Sequence, residues 1–193
     1  MKKLIGIGIA AAISFGTLSG CSLLREEANG FIAYGTEQQV QQLADQKKND
    51  VKEKNVYKMK LTTLEDKKVL VMNKKTSEDL VKKELFKKIV NEDTTKAIDK
   101  LPAVIADQGV LFAKEEVKDI TIDGIKVKYE GNTIIGDARS YADMFAIVDD
   151  TVYNKIKGEE KSVGVLRLNK DPKNEMKDIR DKAEQVQLVK IKK

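Results

Sequence analysis

From residue 31 onward the apolar positions fall into short runs with two different periods. Phe31 to Gly35 (FIAYG) is a brief apolar run closed by glycine, the pattern of a strand. Thr36 followed by Glu37-Gln38-Gln39 predicts a capping box that opens a helix running to about Asn49, with Val40, Leu43 and Ala44 as a thin buried stripe. Asn55 to Thr63 alternates Val56, Lys58 and Lys60 with Tyr57, Met59 and Leu61, and Lys68 to Asn73 (KVLVMN) follows Glu65-Asp66-Lys67. That spacing predicts a hairpin over 55–73. Ser77 then stands as the cap of the longest predicted helix, Glu78 to Asn91, in which Val81, Leu85 and Ile89 recur every four residues. Lys82, Lys83, Lys87 and Lys88 form its other side and read as a solvated face. Thr94 to Lys100 extends the helical stretch until Leu101-Pro102, because proline disfavours helix in the residue before it.

The second half is richer in strand signals. Ala103 to Ala106 (AVIA) reads as a short buried strand and Gln108 to Glu116 as an irregular or briefly helical connection. Ile120 to Ile122 and Ile125 to Tyr129 flank Asp123-Gly124, the strongest hairpin signal in the chain, and Thr133 to Ile135 reads as a further strand. Met144 to Val148 (MFAIV) is continuously apolar, as in a strand covered on both faces. Asp149 or Asp150 caps a short helix, Thr151 to Lys157, stopped by Gly158. Val163 to Leu168 is the next strand. Asp171-Pro172 opens a helix with Met176, Ile179, Ala183 and Val186 on one face, and Leu188 to Ile191 closes the chain's pattern. The expected class is α+β, with a mixed sheet, βαβ units in the C-terminal third, and hairpins near 55–73 and 119–129.

Ahead of this body stands a different kind of segment. Lys2 and Lys3 precede an apolar run from Leu4 to Phe15, and Leu18-Ser19-Gly20-Cys21 ends it, which is the layout of a secretory signal peptide. The apolar run is short of the roughly 20 residues of a membrane span. Leu18-Ser19-Gly20-Cys21 resembles the lipobox of bacterial lipoproteins, which implies that Cys21 carries a diacylglyceryl group on sulfur and becomes the acylated mature N-terminus. Two acyl chains anchor stably where one does not, since each buried methylene contributes about 0.8 kcal/mol. The expected organisation is a signal peptide over 1–20, a lipidated N-terminus and tether over 21–30, and an extracytoplasmic domain over 31–193, with room for a change of lobe near Pro102.

Composition narrows the chemistry. Removing the first 20 of 193 residues leaves 173, a length that suits one compact domain. The whole chain carries 36 basic and 31 acidic side chains; losing Lys2 and Lys3 leaves 34 against 31, a small excess. Only four of the basic residues are arginine (Arg25, Arg139, Arg167, Arg180), which argues against nucleic-acid recognition, where bidentate guanidinium contacts dominate. There is no histidine, which removes the imidazole-based hydrolases and zinc sites, and Cys21 is the single cysteine, so no internal disulfide forms. Phosphate-binding glycine motifs are absent after the leader, and no cofactor or metal is expected.

The best polar cluster is Gly136-Asp137-Ala138-Arg139-Ser140-Tyr141-Ala142-Asp143. A binding loop would use Arg139 with Asp137 or Asp143 as its orienting partner; a surface loop would pair the same groups locally. Leu101 to Ala106, Asp119 to Gly124 and Met144 to Asp150 together also resemble the extracellular domains of FtsX-like, MacB-type ABC permeases. That resemblance implies an α+β domain outside the membrane, serving binding or mechanical coupling. The combined expectation is a non-catalytic lipoprotein on the extracytoplasmic face of the membrane, binding an envelope protein partner such as an ABC-type transport or stress-response complex. The alternative is a small-molecule or ion-binding lipoprotein of the solute-receptor kind.

Overall fold

The computed structural model describes residues 28–91 and 94–193. The signal segment, Cys21 and the tether as far as residue 27 lie outside the described residues. The fold is α+β, as the patterning predicts. The first half contributes β1 (Gly30–Gly35), α1 (Glu37–Gln46), β2 (Val51–Leu64), β3 (Lys67–Asn73), α2 (Lys74–Lys82), β4 (Phe86–Asn91) and β5 (Thr94–Ala97). The second half contributes β6 (Gln108–Phe112), β7 (Ile120–Ile122), β8 (Ile125–Tyr129), β9 (Thr133–Ile135), β10 (Met144–Val148), α3 (Asp150–Tyr153) and β11 (Glu159–Leu168). It ends with a 3-10 turn (Pro172–Glu175), α4 (Met176–Ile179) and β12 (Gln185–Val189).

Nine strands form one mixed sheet in the order β12-β1-β11-β2-β3-β10-β6-β8-β7, and a smaller antiparallel sheet has the order β5-β4-β9. Strands from both sides of Pro102 are hydrogen-bonded into the large sheet. Alternation along each strand divides its side chains between two faces. One face carries Ile32, Tyr34, Met59, Leu70, Met72, Val110, Phe112, Phe145, Val163 and Val165, packed with Leu80 of α2 and with Phe86, Ile134 and Ile135 of the small sheet. The opposite face is covered in two parts. Phe31, Ala33 and Leu166 pack with Leu43 and Ala44 of α1 and Ile179 of α4, while Val69, Val71, Met144, Ala146 and Val148 pack with Val152 and Tyr153 of α3.

The crossovers of the C-terminal third are present but not closed up. β10, β11 and β12 run in the same direction, yet β1 lies between β11 and β12, and the β2–β3 hairpin lies between β11 and β10. The neighbouring parallel pairs are β3 with β10 and β6 with β8. Both predicted hairpins form. β2 pairs antiparallel with β3 around Glu65-Asp66, and β7 with β8 around Asp123-Gly124, whose φ values of 48° and 83° are those of a type I′ turn.

Several expectations are corrected. The helix over 78–91 is instead α2, capped by Asn73 rather than Ser77 and ended at Lys82, followed by strand β4. Glu84 takes φ +57° and the backbone N–H groups of Glu84 and Leu85 donate to the carbonyls of Val81 (2.8 Å) and Leu80 (3.0 Å). That is a Schellman closure, with Leu80 and Leu85 both fully buried against the same core. Thr94 to Lys100 is likewise not helical: Thr94–Ala97 is the strand that pairs with β4. Finally, AVIA and its connection exchange roles. Ile105 is 53% exposed and only bridges Gln108 across a tight turn, whereas Gln108–Phe112 is the strand, inserted between β10 and β8. Gly109 is there because a Cβ would stand 2.6 Å from the Ile147 carbonyl of β10.

The helix expected after Asp171-Pro172 also fails to run on to Val186: it breaks into a 3-10 turn, the four residues of α4 and a second 3-10 turn (Arg180–Lys182), and Val186 lies in β12. Elsewhere the boundaries shift slightly. The Thr36 capping box forms with Gln39, through bonds of 2.9 and 3.2 Å, but α1 ends at Gln46 rather than Asn49. Its Val40 presses on β11 at Gly164, where a Cβ would lie 2.6 Å from Val40 Cγ1. Asp149 caps α3, which stops at Tyr153, and Asp171 caps the proline-led turn before α4.

Candidate functional site

The loop from Gly136 to Asp143 leaves β9 and returns into β10, and its three singled-out residues each fasten it to a different element. The Asp137 carboxylate accepts from Lys87 Nζ of β4 at 2.5 Å, and its backbone N–H donates to Gln187 of β12 at 3.2 Å. Arg139 lies across the loop. Its guanidinium donates to the Asp143 carbonyl (2.8 Å), the Asn132 side chain (2.8 Å) and the Thr133 carbonyl (3.0 Å), and it stands 5.2 Å above the Phe145 ring. Burial pulls its pKa down, with the nearby Asp143 charge opposing. Asp143 Oδ2 accepts the backbone N–H of Lys68 at 2.7 Å, while its own N–H donates to the Lys68 carbonyl at 2.9 Å. Arg139 and Asp143 are therefore joined through a backbone carbonyl, not carboxylate to guanidinium. Asp137 pairs with Lys87 instead of Arg139.

Against the β2–β3 turn this loop forms a cleft of about 290 Å³ lined by Asp66, Lys68, Arg139, Ser140, Tyr141, Ala142 and Asp143. The Asp66 carboxylate and Lys68 ammonium, both exposed, have no ion pair among the described residues. Behind the cleft the Tyr141 ring stacks on fully buried Tyr34, with centroids 4.6 Å apart and planes 15° from parallel. Tyr141 donates to Glu184 at 2.8 Å, Glu184 accepts from Lys161 at 2.7 Å, and Lys161 also reaches Glu159 at 2.7 Å. Burial and the Glu184 carboxylate hold both tyrosine hydroxyls protonated: Tyr141 and Tyr34 are pushed far above the ordinary phenol range, Tyr34 by burial alone. For Lys161 burial works toward a lower pKa, and hydrogen bonds to Glu159 and Glu184 more than reverse it. The group is a neutral stack backed by a fixed ion cluster.

A second polar cluster lies beneath the end of α2, where Glu53 is held by Lys83 and by Arg167 at 3.1 Å. Neither it nor the Tyr34–Tyr141 stack has a sequence signal, because their members are brought together by register across strands distant in the chain. The lysine side of the predicted 78–91 helix is dispersed accordingly: Lys83 and Lys87 are mostly buried in ion pairs, and Lys82 is exposed. A larger, open depression of about 480 Å³ separates the end of α1 from α4, lined by Gln46, Lys47, Lys177, Asp178, Asp181 and Lys182. Among the described residues no three His, Cys, Asp or Glu side chains group as metal ligands.

The Asp66–Lys68 wall of the cleft stands at one end of β2. At the opposite end Val51 pairs with Leu168, whose N–H donates to the Asn29 carbonyl (2.8 Å), so this end receives the chain arriving from Cys21. At the cleft end, Thr63 pairs with Lys68, which binds Asp143. Between Val51 and Thr63 the strand spans roughly 40 Å at about 3.3 Å per residue.

The fold is an α+β domain, and the sequence ahead of it resembles a lipoprotein leader. The profile of a family described as an uncharacterised lipoprotein family matches residues 28–192, and the chain belongs to that family. A crystal structure of a candidate lipoprotein from Bacillus anthracis is similar throughout, with a TM-score of 0.81 and 44% identity, covering 86% of this chain and 100% of that one. No curated protein matches. Membership of a lipoprotein family carries a lipid-anchored place in the cell envelope. Among the described residues no helix is long and apolar enough to cross a membrane. Neither comparison supports the resemblance to FtsX-like, MacB-type permease domains, and the strand that resemblance needed at Ala103 to Ala106 is a turn.

Proposed function

We propose that this lipoprotein is a non-catalytic binding module, attached through a diacylated Cys21 to the extracytoplasmic face of the membrane, that offers the cleft between the 136–143 loop and the β2–β3 turn to an envelope protein. The observation that carries this reading is the cleft's exposed Asp66 and Lys68, which have no ion pair among the described residues and stand at the end of β2 opposite the one that meets Asn29. Asp137, Arg139 and Asp143 contribute by holding the loop in shape, which leaves Asp66, Lys68 and the loop's outer surface to meet a partner.

A solute-receptor role has less support. Small-molecule sites are mostly apolar and enclose about 300–1,000 Å³, whereas this cleft is about 290 Å³ and walled largely by charged and polar side chains. A photo-crosslinking residue placed at Asp66 in cells should give a discrete protein adduct, while the same residue at exposed Lys126 should not. Recovery of the lipoprotein alone from both positions sinks the proposal.

A further inference from the structure

We propose that the end of the sheet receiving the tether is a docking face for an anionic bilayer surface, seated through Lys48, Lys52, Lys190 and Lys193. This rests on the reading of Cys21 as the lipidated residue. Eight residues carry the chain from Cys21 to Asn29, a reach of at most about 26–29 Å. Asn29 is not the start of a loose leash. Its backbone bonds Val189 (3.1 Å) and Leu168 (2.8 Å), and its carboxamide bonds both the N–H (2.7 Å) and carbonyl (2.9 Å) of Ile191. The tether therefore ends on a fixed point of the sheet, and that end stays near the headgroups.

The charges at this end are asymmetric. Lys48 and Lys52 flank the turn in which the Val51 N–H donates to Lys47, and Lys190 and Lys193 flank the Ile191 segment bound to Asn29. All four are exposed and have no ion-pair partner among the described residues. The carboxylates around them are already held: Asp50 by Lys170, Glu53 by Lys83 and Arg167, Glu84 by Lys192, and Glu175 by Lys47 and Lys170. Asp99, whose field reaches Lys192, and Asp171, which accepts the Lys173 N–H, stand outside ion pairs among the described residues. At the far end the exposed, unpaired Glu65, Asp66 and Glu160 stand among the exposed, unpaired Lys67 and Lys68, so that end carries no excess of free lysine among the described residues. The Debye length is about 8 Å at physiological salt, so lysines gain from an anionic surface only when held close to it. The short tether on a rigid attachment supplies that closeness.

The test uses the mature lipidated protein in phosphatidylcholine vesicles with and without phosphatidylglycerol, reading the amine reactivity of individual lysines by mass spectrometry. On the anionic vesicles Lys48, Lys52, Lys190 and Lys193 should react several-fold more slowly at low salt and recover at high salt, with Lys67 and Lys68 unchanged. The variant carrying Lys48→Gln, Lys52→Gln, Lys190→Gln and Lys193→Gln should stay on both vesicles through its acyl chains and lose the salt-dependent protection of neighbouring Lys170. Equal reactivity of the four lysines on both vesicles overturns the docking face alone. A protein that floats free of both vesicles overturns the anchoring as well.

Discussion

Asn29 and Ile191 lie 162 positions apart and exchange two hydrogen bonds through one carboxamide, which accepts the Ile191 N–H at 2.7 Å and donates to its carbonyl at 2.9 Å. The two ends of the described domain are thereby sealed side by side. Ile191 is 2% exposed, so removing the carboxamide leaves a buried N–H and carbonyl without a partner. Asn29→Ala should lower stability by about 1–3 kcal/mol, read as a fall in the urea midpoint at constant m-value. Asn29→Asp keeps the acceptor but sets a carboxylate against the Ile191 carbonyl, and it should be no better.

Glu84 offers the opposite kind of change. A non-glycine residue holds the left-handed position that closes α2, at a strain of about 1 kcal/mol. Its ion pair with Lys192 is exposed and contributes a few tenths of a kcal/mol. Glu84→Gly should therefore stabilise by roughly 0.5 kcal/mol, while Glu84→Val should destabilise by more than that, since a β-branched residue tolerates the conformation least. Urea melts of the two variants with opposite signs are the expected result.

The same position explains what the sequence left hidden. Val81, Leu85 and Ile89 keep a four-residue spacing across a helix end because Leu85 folds back onto Leu80, and a glutamate where glycine is usual gives no stop signal. Gly109 falls in the stretch expected to be an irregular or briefly helical connection, yet it is required where β6 lies against the Ile147 carbonyl in the sheet. Local signals were dependable where chemistry and geometry are both local: the Thr36 capping box, the Asp123-Gly124 turn, the Asp149 and Asp171 caps and the MFAIV strand all stand as the pattern predicts. The polar loop was visible as a cluster of Asp137, Arg139 and Asp143, but not what those residues hold. Their partners Lys87, Gln187 and Lys68 come from three other strands.

For Arg139 that holding role has a measurable signature. Its fork reaches three acceptors on two sides of the loop, which a single ammonium on a flexible stem does not reproduce. Arg139→Lys should cost about 1–3 kcal/mol in a thermal or urea melt. Asp143→Asn keeps an oxygen for the Lys68 N–H and should lie within about 0.5 kcal/mol of the parent, whereas Asp143→Ala should cost about 1 kcal/mol. A neutral outcome for Arg139→Lys would mean that the loop is held by its backbone contacts instead.

Acid stability should report the paired carboxylates. Hydrogen bonds from Lys170 and then Lys47 hold the Glu175 carboxyl below its ordinary range, and a hydrogen bond from Lys83, aided by the Lys83 and Arg167 charges, does the same for Glu53. A carboxyl whose folded pKa is depressed binds protons more readily when the chain unfolds. Its contribution is thus complete above the unfolded value of about 4.3 and disappears as pH falls through the folded value. Stability of the parent should drop steeply below about pH 4.5 for this reason. Glu175→Gln should be less stable at neutral pH, with a flatter acid limb that converges on the parent once Glu175 is protonated in both states. Parallel curves for the two proteins from neutral pH to the acid end would show that Glu175 contributes nothing through its charge.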